Sequence, residues 1–229
     1  MKSTDKAIFI GKVNYSESSL ICTFYTLKNG MQTFIFQGGK KKSAGLFPMA
    51  IVEITYYLRP DSELGKLTEA RILEQADIRF DPIRSTIAFF MAQVVKHCLK
   101  TNQSDQALFD YVKLASTELG QSTTLTLFPL QFLVDFSMHL GVEPLVNEDG
   151  IYFHIAEGEI NSEKKSYDIV EVGPHVALIR NLYLNQQKDS SYPKEVRVSA
   201  LNCLIKYYEI HIPGFKANLV VDVLQETLS

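Results

Sequence analysis

Residues 31–45 read Met-Gln-Thr-Phe-Ile-Phe-Gln-Gly-Gly-Lys-Lys-Lys-Ser-Ala-Gly, a candidate strand that runs directly into a basic loop. The first half is rich in β-branched and aromatic side chains, which favours a β-strand. Gly38 and Gly39 end that strand, because glycine can take the positive φ that a sharp exit needs. The three lysines that follow repel one another by roughly a few tenths of a kcal/mol per pair in water. A phosphodiester backbone would relieve that repulsion, and a solvated loop is the simpler alternative.

Four more segments of the front part have the same β-forming character, and short turns join most of them. The predicted strands are residues 7–13, 19–26, 31–37, 49–58 and 64–73. Lys28-Asn29-Gly30 predicts a tight hairpin turn, since Asn-Gly readily adopts left-handed conformations. Five strands in so short a stretch indicate a small closed barrel, and the five-stranded OB-fold is the common solution at this size.

The pattern changes to helical after residue 80. Asp81 can cap a helix N-terminus and Pro82 suits its first turn. Apolar spacing then predicts helices over residues 82–100, 105–119, 126–140, 174–185 and 193–211, and a last short helix that carries Val220, Val223, Leu224 and Leu228. An irregular insertion over residues 142–172 holds a possible strand at 151–155. The predicted fold class is therefore α+β, with an OB-fold β-barrel in residues 1–80 followed by an α-helical domain in residues 81–229.

Composition narrows the function classes. The net charge of −3 argues against nucleic-acid binding by the chain as a whole. Residues 1–80, however, hold 11 Lys or Arg against 8 Asp or Glu, while the remainder holds 12 against 18, so the front part is mildly basic and the rest is acidic. The three cysteines form no CxxC pair, which excludes a four-cysteine zinc site and gives no disulfide framework. We expect a cytoplasmic protein, since neither a secretory signal nor a long apolar run is visible.

Enzyme signatures are missing from the sequence. It contains no G-x-S-x-G, H-E-x-x-H or G-x-G-x-x-G, and Lys41 stands where a phosphate-binding P-loop needs glycine. The five histidines are scattered over the helical part. We therefore predict no enzymatic activity, no catalytic residue, no metal and no cofactor.

An OB-fold can bind a nucleic acid in a groove, where bases stack on aromatic rings while cations follow the phosphates. The cationic candidates are Lys12, Lys40, Lys41, Lys42, Arg59, Lys66 and Arg71. Tyr15, Tyr25, Phe36, Tyr56 and Tyr57 are the aromatic side chains considered. Tyr56 and Tyr57 face opposite sides of a strand, so at most one lines a groove. The aromatic candidates retained are Tyr25, Phe36 and Tyr56.

Four stretches, taken in order, resemble the RecO family of bacterial DNA repair proteins. They are Tyr15-Ser16-Glu17-Ser18-Ser19, Gly38-Gly39-Lys40-Lys41-Lys42-Ser43, Leu64-Gly65-Lys66-Leu67-Thr68-Glu69-Ala70, and Lys206-Tyr207-Tyr208-Glu209-Ile210-His211 with Pro213-Gly214-Phe215-Lys216. The likeness runs along the whole chain. Many members of that family carry a four-cysteine zinc knuckle after the third helix, whereas residues 142–160 contain no cysteine, so the chain is similar to a zinc-less branch.

The resemblance implies a protein that binds single- and double-stranded DNA, anneals complementary strands and helps RecA replace single-strand-binding protein (SSB) in gap repair. It also implies two protein partners, RecR and the acidic, hydrophobic C-terminal tail of SSB. Cations beside an apolar pocket would suit that tail, and the helical candidates are Lys96, Lys100 and Lys113. Two alternatives stay open: an OB-fold protein that binds RNA, and an adaptor whose barrel binds a peptide without nucleic acid.

Overall fold

The computed structural model describes residues 2–59, 62, 64–75, 78, 80–101, 103–165, 169–186 and 192–216. The chain divides into two compact units, Met1–Ser122 and Thr123–Ser229. The predicted last helix around Val220 lies outside the described residues. None of the described helices is both long enough and apolar enough to cross a membrane.

The first unit is built on a closed five-stranded barrel. Its strands are β1 (Lys2–Asn14), β2 (Leu20–Thr26), β3 (Gly30–Phe36), β4 (Ile51–Tyr57) and β5 (Leu64–Glu74), and the order around the barrel is β1-β2-β3-β5-β4. Strands β3 and β5 are parallel, and the other neighbours are antiparallel. The predicted OB-type barrel is thereby confirmed.

Strand β1 is longer than predicted because it closes the barrel. Its residues Ala7 to Asn14 pair with β2, while Lys2 to Ile8 pair with β4. The register shifts between Phe9 and Gly11, where a bulge redirects the strand. The sequence does not predict the charged start of β1 as a strand. That part becomes a strand because it pairs at the seam of the barrel with β4, about fifty residues away.

The barrel interior is filled by aromatic rings from alternating positions. The centroids of Phe9 and Phe24 lie 5.3 Å apart, those of Phe24 and Phe34 6.0 Å, and those of Phe34 and Tyr56 4.9 Å. All four side chains are buried. Burying one such ring contributes about 1.5–3 kcal/mol, so the barrel is a packed core and its outer face is left for any ligand.

Besides the single helical turn α1 (Gly39–Lys42) that follows β3, two longer helices belong to the same compact unit as the barrel. They are α2 (Pro82–Cys98) and α3 (Gln106–Gln121), capped by the carboxylates of Asp81 and Asp105. On the barrel, the ring of Tyr25 lies 5.5 Å from that of Phe109, and the Ser116 hydroxyl donates to the Met49 carbonyl at 2.7 Å. The chain changes from strands to helices near residue 80, as the sequence indicates. The boundary between the two compact units lies later, after Ser122, because these contacts join the two helices to the barrel.

The second unit combines three helices with a small sheet. The helices are α4 (Phe128–His139), α5 (Pro174–Tyr183) and α6 (Lys194–His211). The insertion, predicted to be irregular with one strand, forms four short strands: β6 (Leu145–Val146), β7 (Tyr152–His154), β8 (Glu159–Asn161) and β9 (Val170–Val172). Their order in the sheet is β6-β8-β7-β9.

Side chains from α5 and α6 donate hydrogen bonds to the backbone of the segments that precede β6 and β7. The Tyr207 hydroxyl donates to the Val142 carbonyl at 2.6 Å, and the Arg180 guanidinium donates to the Gly150 carbonyl at 2.9 Å. Phe153 and Ile160 are fully buried beneath the sheet. Across the described parts of the chain, no three His, Cys, Asp or Glu side chains converge on a point where a metal ion could bind.

The hairpin between β2 and β3 gives a stability prediction. Gly30 has φ +64°, and a Cβ there would lie 2.5 Å from the Gln103 carbonyl oxygen and 2.7 Å from that of Lys100. Gly30→Ala should therefore lower the free energy of unfolding by about 3 kcal/mol, as measured by urea denaturation. Gly11→Ala is the control, since a Cβ at Gly11 meets nothing within 4 Å, and it should cost less than about 1 kcal/mol. Equal losses would contradict the account.

Candidate nucleic-acid interface

The basic segment after β3 is a single turn of helix, α1 (Gly39–Lys42), where the sequence predicted a loop. Gly38 has φ 66° and ψ 15°, the left-handed exit expected of it. A Cβ at Gly39 would lie 3.1 Å from the Phe36 ring, so the turn is seated directly on the barrel. Successive residues of a helix point about 100° apart, and the three exposed lysines of the turn therefore spread over its outer surface.

A groove opens beside this turn. It has a volume of about 720 Å³ and is lined by Ile35, Gln37, Tyr57, Leu58, Arg59, Ser62, Leu64, Gly65 and Lys66. Gln37 follows the last residue of β3, and Gly38 comes next at the start of the turn. Groove and turn thus adjoin along the chain. The OB-fold uses this general region, the face of strands 2 and 3 with the loops after strands 1 and 4, to hold oligonucleotides.

The exposed aromatic side chain of the groove is Tyr57, which is 45% exposed. The prediction retained Tyr56 instead, and it was wrong. Tyr56 is 3% exposed, its hydroxyl accepts from the Asn29 amide at 2.9 Å, and its ring packs on Phe34. A sequence signal could have decided between them, because Glu53 and Tyr57 lie on the same side of an alternating strand and a carboxylate points outward.

Tyr25 and Phe36 are also corrected, since each is 1% exposed. The hydroxyl of Tyr25 donates to the Asp105 carbonyl at 3.4 Å, and burial raises its pKa well above the usual range. The Lys42 ammonium lies 5.6 Å from the centroid of the Phe36 ring. Phe36 belongs to the barrel core, and Tyr25 is covered by Phe109 of α3, so neither ring is open to a base.

The predicted cations fall into three places. Arg59 and Lys66 line the groove. The three lysines of α1 stand on the adjoining turn, and the Lys12 ammonium reaches the same turn, donating to the Ser43 carbonyl at 2.8 Å. Arg71 lies apart on β5, where its guanidinium pairs with the Glu53 carboxylate at 2.7 Å.

An outer row of side chains leads across the barrel to the groove. Strand register places Val13 beside Ile21, Ile21 beside Ile35, Ile35 beside Lys66, and Lys66 beside Tyr57. Val13 and Tyr57 are among the exposed large hydrophobic side chains, and Ile21 and Ile35 are half-buried. The row combines apolar surface with one cation, which suits a ligand with flat apolar faces and a charged backbone.

The three helical lysines differ in what surrounds them. Lys96 on α2 and Lys100 just after it are exposed, and Phe89, two turns before Lys96, is 44% exposed with its ring 5.3 Å from that of Phe47. Lys113 on α3 is ion-paired with Glu74 at 2.9 Å. The structure therefore places Phe89 and Lys96 two turns apart on α2, with Lys100 just beyond its end, and gives Lys113 a carboxylate partner of its own.

The cysteines show no sign of nucleophilic chemistry. Burial raises the pKa of Cys22 to about 11 and that of Cys203 to about 12. Reactive cysteines need the opposite shift, because the thiolate is the nucleophile.

Barrel, turn and groove together define an OB-fold protein with a grooved and partly basic outer face, and comparisons with known proteins specify it further. Residues 1–76 match the model of the family described as "Recombination protein O N terminal". Three curated proteins named "DNA repair protein RecO" align along nearly the whole chain. The protein of Christiangramia forsetii is 25% identical over 96% of this chain and 97% of its own length. Those of Flavobacterium psychrophilum and Flavobacterium johnsoniae are 26% and 27% identical, each over 100% of both chains.

The chain is thus similar along its whole length to proteins named "DNA repair protein RecO", and its first 76 residues match the N-terminal model of recombination protein O. The order of the four sequence stretches pointed to the same family, and the relatives span both compact units.

Proposed function

We propose that this chain is a recombination mediator that binds single- and double-stranded DNA through its barrel, anneals complementary strands and helps load RecA onto DNA coated with SSB. The observation that supports this most directly is the pairing of a three-lysine turn with an adjoining groove that holds Tyr57, Arg59 and Lys66. Similarity along the whole chain to proteins named "DNA repair protein RecO" supports the repair role. On this proposal the protein works at the nucleoid and carries out no covalent chemistry.

The mechanism follows from phosphate charge. Two DNA strands repel one another through their backbones, and a cationic surface that holds one strand lowers that repulsion without reading sequence. The described residues offer the ammonium groups of Lys40 and Lys41 no carboxylate within ion-pair distance, so both are open to a phosphate. An unpaired base can then stack on Tyr57 in the groove, which a base inside a duplex cannot do.

Each of the two alternative functions makes a prediction opposite to that of the proposed function in a simple titration. An RNA-binding protein would prefer RNA when single-stranded DNA and RNA of equal sequence compete, because the 2′-hydroxyl distinguishes them. A peptide-binding adaptor would ignore oligonucleotides in dilute buffer, and its affinity for a peptide would survive high salt. We expect DNA binding that weakens steeply as salt rises.

We propose further that RecR and the C-terminal tail of SSB are its protein partners. For the tail, the supporting observation is an exposed aromatic ring, Phe89, on the helix that carries Lys96, with Lys100 just beyond its end. An acidic, hydrophobic peptide needs both an apolar contact and a cation.

Replacing Lys40, Lys41 and Lys42 together with alanine tests the phosphate contacts. Affinity for a single-stranded oligonucleotide should fall by on the order of 10- to 100-fold at low salt, and the slope of log K against log[salt] should flatten by about 0.7 for each phosphate that is no longer neutralised. Fluorescence anisotropy at several salt concentrations measures both. The control removes the same charge elsewhere, at the exposed Lys6, Lys164 and Lys194. An unchanged affinity and slope in the first variant would remove the turn from the mechanism.

Tyr57→Ala tests base stacking. Affinity for single-stranded DNA should fall by roughly 1–3 kcal/mol, the usual contribution of one stacked base, while the salt slope stays the same because no charge is lost. Tyr57→Phe keeps the ring and should bind like the parent. If the alanine variant lost affinity for duplex and single strands equally, stacking would not be the reason.

The double variant Lys96→Glu/Lys100→Glu tests the tail site. Binding of a labelled peptide with the acidic SSB tail sequence should weaken by about tenfold, because charge reversal turns attraction into repulsion. The double variant Lys6→Glu/Lys164→Glu carries the same charge change at other exposed positions and should bind normally. Equal effects of the two double variants would point to net charge and not to a local site.

A further inference from the structure

The helical turn α1, called the lysine turn below, is held from beneath by one serine. Ser43 is fully buried, and its hydroxyl donates to the Gly39 carbonyl at 2.6 Å. Its backbone N–H donates to the same carbonyl at 2.8 Å. Two hydrogen bonds thus converge on the first residue of α1 from the residue that follows its last, and they close the turn on itself.

Lys12 completes this arrangement from a neighbouring strand. Its ammonium donates to the Ser43 carbonyl at 2.8 Å and to the Ser43 hydroxyl at 3.3 Å. The same carbonyl also accepts from the Leu46 N–H at 3.0 Å. Two of the three ammonium protons of Lys12 therefore have partners inside the protein. Among the residues that the structure describes, the ammonium groups of Lys40 and Lys41, on the outside of the turn, have no such partner.

We infer that Lys12 is a positioning residue that fixes the lysine turn through Ser43, and that it does not itself contact phosphate. This inference rests on the proposed role of residues 40–42 in binding phosphates. It assigns the sequence-predicted cations two different tasks. Lys40 and Lys41 displace counterions from DNA, whereas Lys12 keeps the turn in its binding conformation before DNA arrives.

The physical basis is the entropy of ordering. A turn without the Ser43 link would still carry its lysines, so it would release the same number of counterions on binding. It would, however, have to become ordered when DNA binds, and the free-energy cost of that ordering would weaken the affinity. Removal of a positioning group therefore lowers affinity at every salt concentration and leaves the salt slope unchanged, which separates it from removal of a group that contacts phosphate.

The test uses the full chain and a fluorescent single-stranded oligonucleotide, titrated at several salt concentrations. Lys12→Met keeps most of the aliphatic stem and removes the ammonium, and Ser43→Ala removes only a hydroxyl. Each should weaken binding by about three- to tenfold, in line with the loss of one hydrogen bond, with an unchanged salt slope. Lys40→Ala and Lys41→Ala should each flatten the slope by about 0.7. Lys6→Met, on the same strand as Lys12, is the matched control and should change neither quantity.

Coupling between the two positions provides a second readout. Because Lys12 and Ser43 share the hydrogen bond from the ammonium to the hydroxyl, the double variant Lys12→Met/Ser43→Ala should lose less affinity than the sum of the two single losses, whereas independent sites would add. Thermal melts verify that each variant is folded. Ser43→Ala keeps the test available if Lys12→Met does not fold.

The outcomes separate the inference from the function on which it rests. A slope that flattens by about 0.7 in Lys12→Met would make Lys12 a phosphate contact and overturn the inference alone. Unchanged affinity in a folded Lys12→Met would also overturn it, and so would unchanged affinity in Ser43→Ala. Unchanged slopes in Lys40→Ala and Lys41→Ala would instead overturn the proposed phosphate contacts, and the positioning role with them.

Discussion

Closure of the barrel through β1 is the constraint on which the first unit depends. One strand pairs with β2 along one half and with β4 along the other, and a bulge near Gly11 lets it do both. Once the barrel is closed, each strand has an inside and an outside, and the interior has room only for the rings of residues such as Phe24, Phe34 and Tyr56. Everything that can meet a ligand is then determined by which residues are left on the outer face.

That constraint explains why the candidate surface is a mixture of cations and apolar side chains. Gly38 turns the chain out of β3 and sends three lysines away from the core, while Tyr57 and Lys66 come to the surface from adjoining strands. Gly65 contributes by having no side chain, since a Cβ there would lie 2.5 Å from the Phe34 ring. The groove and its basic border are consequences of how a very small barrel has to be packed.

The sequence predicted much of this architecture, and its errors have identifiable causes. The five strands, the left-handed exit at Gly38 and the cap at Asp81 are local signals, and short windows of sequence reveal all of them. The choice between Tyr56 and Tyr57 depended on strand parity, which Glu53 could have supplied. The partners of Lys12, Arg71 and Lys113 lie far away in sequence, so no local pattern reveals that Ser43, Glu53 and Glu74 engage them. The strands of the small sheet are two or three residues long, which is too short for any periodicity.

The pairing order of the strands has a consequence for biosynthesis. Strand β1 leaves the ribosome before the other four strands of the barrel, yet half of its pairing depends on β4, and β3 depends on its parallel partner β5. Until Glu74 has emerged, the nascent chain has unpaired edges and exposed phenylalanine rings. Contacts between such distant segments form slowly and leave the intermediate prone to aggregation. The residues that make the finished cylinder compact are thus the ones that make its nascent form vulnerable.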